Sequence, residues 1–119
     1  MVDEHGAGPY HQITAELAGP YRELRDLVPE VVSAYAALHH ASMGDGELSA
    51  KTKELIALAI AVTRECDGCI VSHARGAARR GATVAEVAEA IGVTIMMNGG
   101  PGTVWGPRAL AAFHEFADR

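Results

Sequence analysis

Apolar residues recur along this chain at intervals of three and four, the period of a helix, and no useful stretch alternates as a strand does. The pattern predicts a loose N-terminal arm over residues 1–10, where Gly6, Gly8 and Pro9 interrupt any periodicity. A short helix over 12–18 then stops at Gly19-Pro20, and a weak one covers 21–27. Pro29 fits the first position of a helix through residue 40, because its missing N–H is one that a helix start leaves unpaired anyway. Residues 42–46 form a turn. Ser49 can cap a helix carrying Leu55, Ile56, Leu58, Ala59, Ile60 and Val62, which is apolar on more than one side and so expected to be central and buried. Residues 65–68 mark a break; the next helix runs to residue 80, with Gly81 as its stop. Thr83 and Glu86 form a capping-box pattern that opens a helix to about residue 97. Residues 98–102, rich in glycine, read as a loop, and Pro107 as the start of a last helix through 116.

These elements make one all-α domain over residues 1–119, with no internal repeat and no linker. Several helices are too apolar for a lone bundle: Val84, Val87, Ile91, Val93, Ile95, Met96 and Met97 spread around theirs. A domain this small buries only ~60–65% of its unfolded surface, so the surplus predicts a homo-oligomer. No apolar run reaches the length of a membrane span, and the N-terminus lacks the basic start and apolar stretch of a secretory leader, so a cytoplasmic location is expected. The net charge of −5 argues against a nucleic-acid partner. The one basic cluster, Arg75 with Arg79 and Arg80, falls in the last turns of a helix, where it is expected to complement the dipole.

The chemistry is concentrated in Cys66-Asp67-Gly68-Cys69-Ile70-Val71-Ser72-His73, which holds both cysteines of the chain. At about 100° per residue, Cys69 and His73 fall within about 60° and 20° of Cys66 around a helix. Two thiols this close can form and release a disulfide, and the imidazole one turn after Cys69 can move the protons each step requires. Cys66 lies at a helix start, where unpaired N–H groups favour a thiolate. Glu54, at the edge of an apolar run, is a half-buried carboxylate able to hold an imidazole tautomer.

With an all-helical layout, this C-x-x-C-x-x-x-H run resembles the alkylhydroperoxidase (AhpD)-like branch of the carboxymuconolactone decarboxylase family. The resemblance extends over roughly residues 29–116. It rests on Glu54 followed by Cys66, Cys69 and His73 at that branch's spacing, on the preceding Lys53-Glu54-Leu55-Ile56-Ala57-Leu58-Ala59-Ile60 helix, and on the Gly99-Gly100-Pro101-Gly102-Thr103-Val104-Trp105-Gly106-Pro107-Arg108-Ala109-Leu110 tail. It implies an AhpD-like helical bundle assembled as a homotrimer or homohexamer. It also implies a thiol peroxidase or disulfide reductase in which Cys69 meets the peroxide, Cys66 resolves it, and Glu54 and His73 form a proton relay. Gly68 stands where such relatives can carry a histidine, which implies a shorter relay.

The expected partners are therefore a peroxide or other small substrate and a dithiol electron donor, such as one of lipoyl type, with no cofactor and no metal. Zinc is the competing use of Cys66, Cys69 and His73, but no second C-x-x-C or H-x-x-x-H supplies the usual paired ligands. Thioredoxin needs a strand before its motif, and the glycine-rich tail lacks the strand and Lys-Ser/Thr ending of a phosphate loop. His39 and His40 cannot both face inward, so at most one lines a pocket mouth, while His5, His11 and His114 have no evident partners. Two other functions compete. One is a lyase on an acidic lactone, with Arg108 as cationic clamp, which would leave the thiols idle. The other is a non-enzymatic redox-sensing module.

Overall fold

The computed structural model describes residues 8–118. Six helices follow in order: α1 (Pro9–Leu27), α2 (Pro29–Met43), α3 (Ala50–Thr63), α4 (Asp67–Arg79), α5 (Val84–Asn98) and α6 (Gly100–Ala117). There is no strand among the described residues.

Local chemistry sets most of the boundaries. Ser49 accepts a hydrogen bond from the Thr52 N–H and starts α3. Thr83 and Glu86 satisfy each other's backbone N–H in a complete capping box at α5. Gly81, at φ 81°, closes α4: its N–H bonds the Ala78 carbonyl and that of Ala82 bonds the Ala77 carbonyl. The same pair of bonds closes α3, from Glu65 to Val62 and from Cys66 to Ala61, but there the left-handed position is held by Glu65 at φ 54°.

The core joins Leu58, Ala61 and Val62 of α3, Ile70, Ala74 and Ala77 of α4, Val87 and Ile91 of α5, and Ala109, Ala112 and Phe113 of α6. α3 is central, as its composition predicts, packing against every helix but α1, though Ile56 and Ile60 remain exposed. The α1–α2 pair is an outer layer in which no residue is fully buried. α1 lies against both α4 and α2, while α2 rests on α1 and α3 and reaches α4 through the His39 ring.

Three sequence expectations are corrected. Gly19-Pro20 does not divide the first helical region: α1 is continuous, with Pro20 inside it. Proline there removes one helical hydrogen bond, but α1 lies against both α4 and α2, and tertiary contact outweighs that loss. The predicted N-terminal arm is shorter than residues 1–10, because Pro9 and Tyr10 are helical; residues 1–7, with His5, lie outside the described residues. The start of α1 has no side-chain cap of its own, and Glu115 of α6 substitutes, accepting from the His11 N–H at 2.6 Å and meeting the His11 ring at 2.7 Å.

The last helix begins before Pro107. Only Gly99, at φ 69°, breaks the chain, and α6 starts at Gly100. The glycines beyond it are packing residues: a side chain on Gly102 would come 2.9 Å from the Ile95 Cα, and one on Gly106 would come 2.7 Å from the Ile91 Cγ2. They let α6 cross α5 at close range.

Candidate functional site

Cys66 ends the turn that closes α3 and is also the N-cap of α4. Its sulfur accepts from the Cys69 N–H at 3.2 Å. The two cysteines form a disulfide across this first turn, their Cα atoms 5.2 Å apart, inside the usual range for such bonds. They differ in access: Cys69 is exposed, whereas Cys66 is partly covered.

One turn after Cys69, His73 points back toward α3. Its Nδ1 lies 3.3 Å from Glu54 Oε1. Glu54 shares a helix face with Leu58 and Ala61 and is buried to 7% exposure, deeper than the half-buried position its flanking lysines predict. When Nδ1–H donates to the carboxylate, the Nε2 lone pair is left to take a proton elsewhere. The sequence-predicted residues Glu54, Cys66, Cys69 and His73 are therefore brought to one place, on two helices and the turn between them.

Two residues at this place are not fixed by sequence reasoning. The first is Gly76, one turn beyond His73. A side chain there would collide with the Glu54 carboxylate, so the missing Cβ is the notch in which that carboxylate sits. A glycine inside a helix costs about 1 kcal/mol relative to alanine, and that unexplained cost is the signal that could have found it. The second is His39 of α2. Its ring stacks on that of His73, with centroids 6.4 Å apart and planes 15° from parallel. One of the adjacent histidines 39 and 40 thus faces the site, as their adjacency allows.

His73 separates two cavities. One, of about 410 Å³, is walled by Ala57, Ile60, Ala61 and Arg64 and contains the disulfide. The other, of about 420 Å³, is lined by His39, Met43, Glu54, Ser72, Gly76 and the arginines 75, 79 and 80. Both are of a size that suits small molecules. Arg108 reaches neither; its guanidinium lies 4.8 Å above the Trp105 ring. Beside the disulfide turn, burial raises the Tyr10 hydroxyl above its ordinary range, with nearby Asp67 adding to the shift and Arg108 opposing it.

The arrangement can exchange electrons at sulfur and protons at an imidazole whose orientation a carboxylate fixes. The family model for the carboxymuconolactone decarboxylase family matches residues 29–115. An uncharacterised protein of Cupriavidus necator is 39% identical over 98 residues, covering 82% of this chain and 87% of that one. Another, uncharacterised protein 4 of the cox locus of Paracoccus denitrificans, is 40% identical over 82 residues, covering 69% of this chain and 74% of its own length. A carboxymuconolactone decarboxylase family protein of Legionella pneumophila, whose crystal structure is of the apo form, superposes with a TM-score of 0.88 at 37% identity, over 91% of this chain and 96% of that one.

Proposed function

This chain belongs to the carboxymuconolactone decarboxylase family, and from that premise we propose that it is a cysteine-dependent oxidoreductase of alkylhydroperoxidase type. The observation that carries the reading is the Cys66–Cys69 disulfide at the start of α4, one turn from an imidazole held by a buried carboxylate. A lyase would have no use for that disulfide.

The cycle balances with a dithiol as reductant. A donor thiolate attacks the exposed Cys69 sulfur. The Cys66–Cys69 bond breaks, and Cys66 leaves as a thiolate at the positive end of α4, where the Cys69 N–H already points at its sulfur. The donor's second thiol attacks the mixed disulfide, releasing Cys69 and taking the donor to its own disulfide. A hydroperoxide then meets the Cys69 thiolate. Sulfur attacks the terminal oxygen, the O–O bond breaks, the alkoxide takes a proton from His73, and Cys69 becomes a sulfenic acid. Cys66 attacks that sulfur and expels water. The sum is hydroperoxide plus dithiol giving alcohol, water and a donor disulfide.

In this reading Glu54 fixes the His73 tautomer and steadies the imidazolium. The dithiol half of the cycle suits a reducing cytoplasm. The apolar surface left on α2 and α5 suits a homotrimer or homohexamer. Dihydrolipoamide with cumene hydroperoxide, followed by alcohol formation, tests the proposal. Turnover that stops when both cysteines are alkylated is the expected result. No alcohol from protein whose disulfide the donor demonstrably reduces would overturn it.

A further inference from the structure

The cavity on the far side of His73 is positively charged in a chain whose net charge is −5. Three arginines line it, Arg75, Arg79 and Arg80, against the single carboxylate of Glu54, and each also borders a neighbouring cavity. That carboxylate is already engaged, by the His73 ring and by the notch at Gly76. Among the described residues none of the three arginines has an ion-pair partner, whereas Lys51 pairs with Glu86 and Arg108 covers Trp105.

A dipole role accounts for only part of the cluster. Arg79 stands in the last turn of α4, but Arg75 lies a full turn earlier, partly buried, and lines the cavity wall with the Ser72 hydroxyl. Charge at a helix end acts within about one turn and needs no cavity. Arginines gathered along one concave surface are an arrangement that binds carboxylate or phosphate oxygens through charge-assisted hydrogen bonds.

We propose that this cavity is an anion subsite, and that the substrate reduced at Cys69 is an acidic hydroperoxide whose carboxylate sits among Arg75, Arg79 and Arg80. The assignment of substrate rests on the peroxidase reading; the subsite itself does not. His73 forms the wall common to both cavities, so a molecule with its peroxide at the disulfide side and its carboxylate at the arginine side spans the imidazole that protonates the leaving alkoxide.

Two measurements on the full chain test this. The first is calorimetric titration with benzoate and, separately, with inorganic phosphate at low salt. The second compares cumene hydroperoxide with its para-carboxylate, dihydrolipoamide being the donor. Saturable benzoate binding is expected, weakened roughly tenfold or more in Arg75→Gln and in Arg79→Gln/Arg80→Gln, the scale of one charge-assisted hydrogen bond. The carboxylated peroxide should have a KM about tenfold or more below that of the neutral one. The ratio should collapse toward unity in the arginine variants and persist in Arg22→Gln, a surface change on α1. Circular dichroism verifies that each variant is folded.

Saturable binding of neither benzoate nor phosphate overturns the subsite. Phosphate binding without benzoate binding overturns the carboxylate assignment in favour of phosphorylated ligands. Arginine-dependent benzoate binding with turnover of neither peroxide keeps the subsite and removes the peroxidase reading. Equal KM for the two peroxides in the wild type overturns the acidic substrate.

Discussion

The carboxylate of Glu54 occupies the space that a side chain on Gly76 would need. A carboxylate seated directly on a helix backbone has little room to shift, and its partner His73 lies on the same helix one turn earlier. Gly76→Ala should therefore displace Glu54 from His73 although alanine is the better helix former. Peroxidase kcat/KM should fall by at least about tenfold, because the imidazole loses its orienting partner. Adding Glu54→Asp, which shortens the acid, should restore part of the loss. An unchanged kcat/KM in Gly76→Ala would show that the notch does not serve the imidazole.

The difference in exposure between the cysteines supports the roles proposed for them. Cys69→Ser should abolish peroxide consumption. Cys66→Ser should allow one oxidation and leave a sulfenic acid on Cys69 that dimedone traps and mass spectrometry locates. His73→Ala and Glu54→Gln should slow turnover by about 100- to 10,000-fold, the usual range for lost acid–base help, without ending it. Sulfenic acid found on Cys66 in Cys69→Ser would reverse the assignment.

Glu65 holds a left-handed backbone position that glycine adopts at no steric cost, and its side chain is exposed. Glu65→Gly should stabilise the fold by about 1 kcal/mol, the excess of the left-handed penalty over the entropy that glycine brings. Thermal denaturation measures it; a lowered Tm would mean that the glutamate makes a compensating contact.

Glu86 has its carboxyl held below the ordinary range, first by the Thr83 N–H and then by Lys51. A group with a lowered folded-state pKa stabilises above its unfolded pKa, roughly 4.3, and that contribution disappears as pH falls through the folded value. Glu86→Gln should thus melt below the wild type at pH 6, and the gap should narrow progressively as pH falls below about 4.3. A gap independent of pH would assign the loss to packing.

Single chains should not persist in solution. Val31, Tyr35 and Leu38 on α2 and Met96 and Met97 on α5 stay exposed in the isolated subunit. Light scattering at micromolar concentration should return a multiple of 12.5 kDa. A mass near one chain would contradict this, and Leu38→Lys with Tyr35→Glu should lower the mass if α2 is the buried face.

Where capping chemistry is local, the sequence was legible: Ser49, Gly81 and the Thr83–Glu86 box each set a boundary the structure shares. Glu54, Cys66, Cys69 and His73 were recognisable because their spacing survives folding. Pro20 and Pro107 misled, since proline marks a helix end only when nothing else holds the helix, and packing on α4 and α5 does. Gly102 and Gly106 look like a loop in one dimension and are a contact surface in three. His39, Gly76 and the arginine cavity depend on which helix faces which, and no periodicity along one segment carries that.

Cys66 belongs to two helices at once, completing the closing turn of α3 and capping α4. The disulfide is thus tied into a joint of the scaffold, and making or breaking it would act on the ends of both α3 and α4.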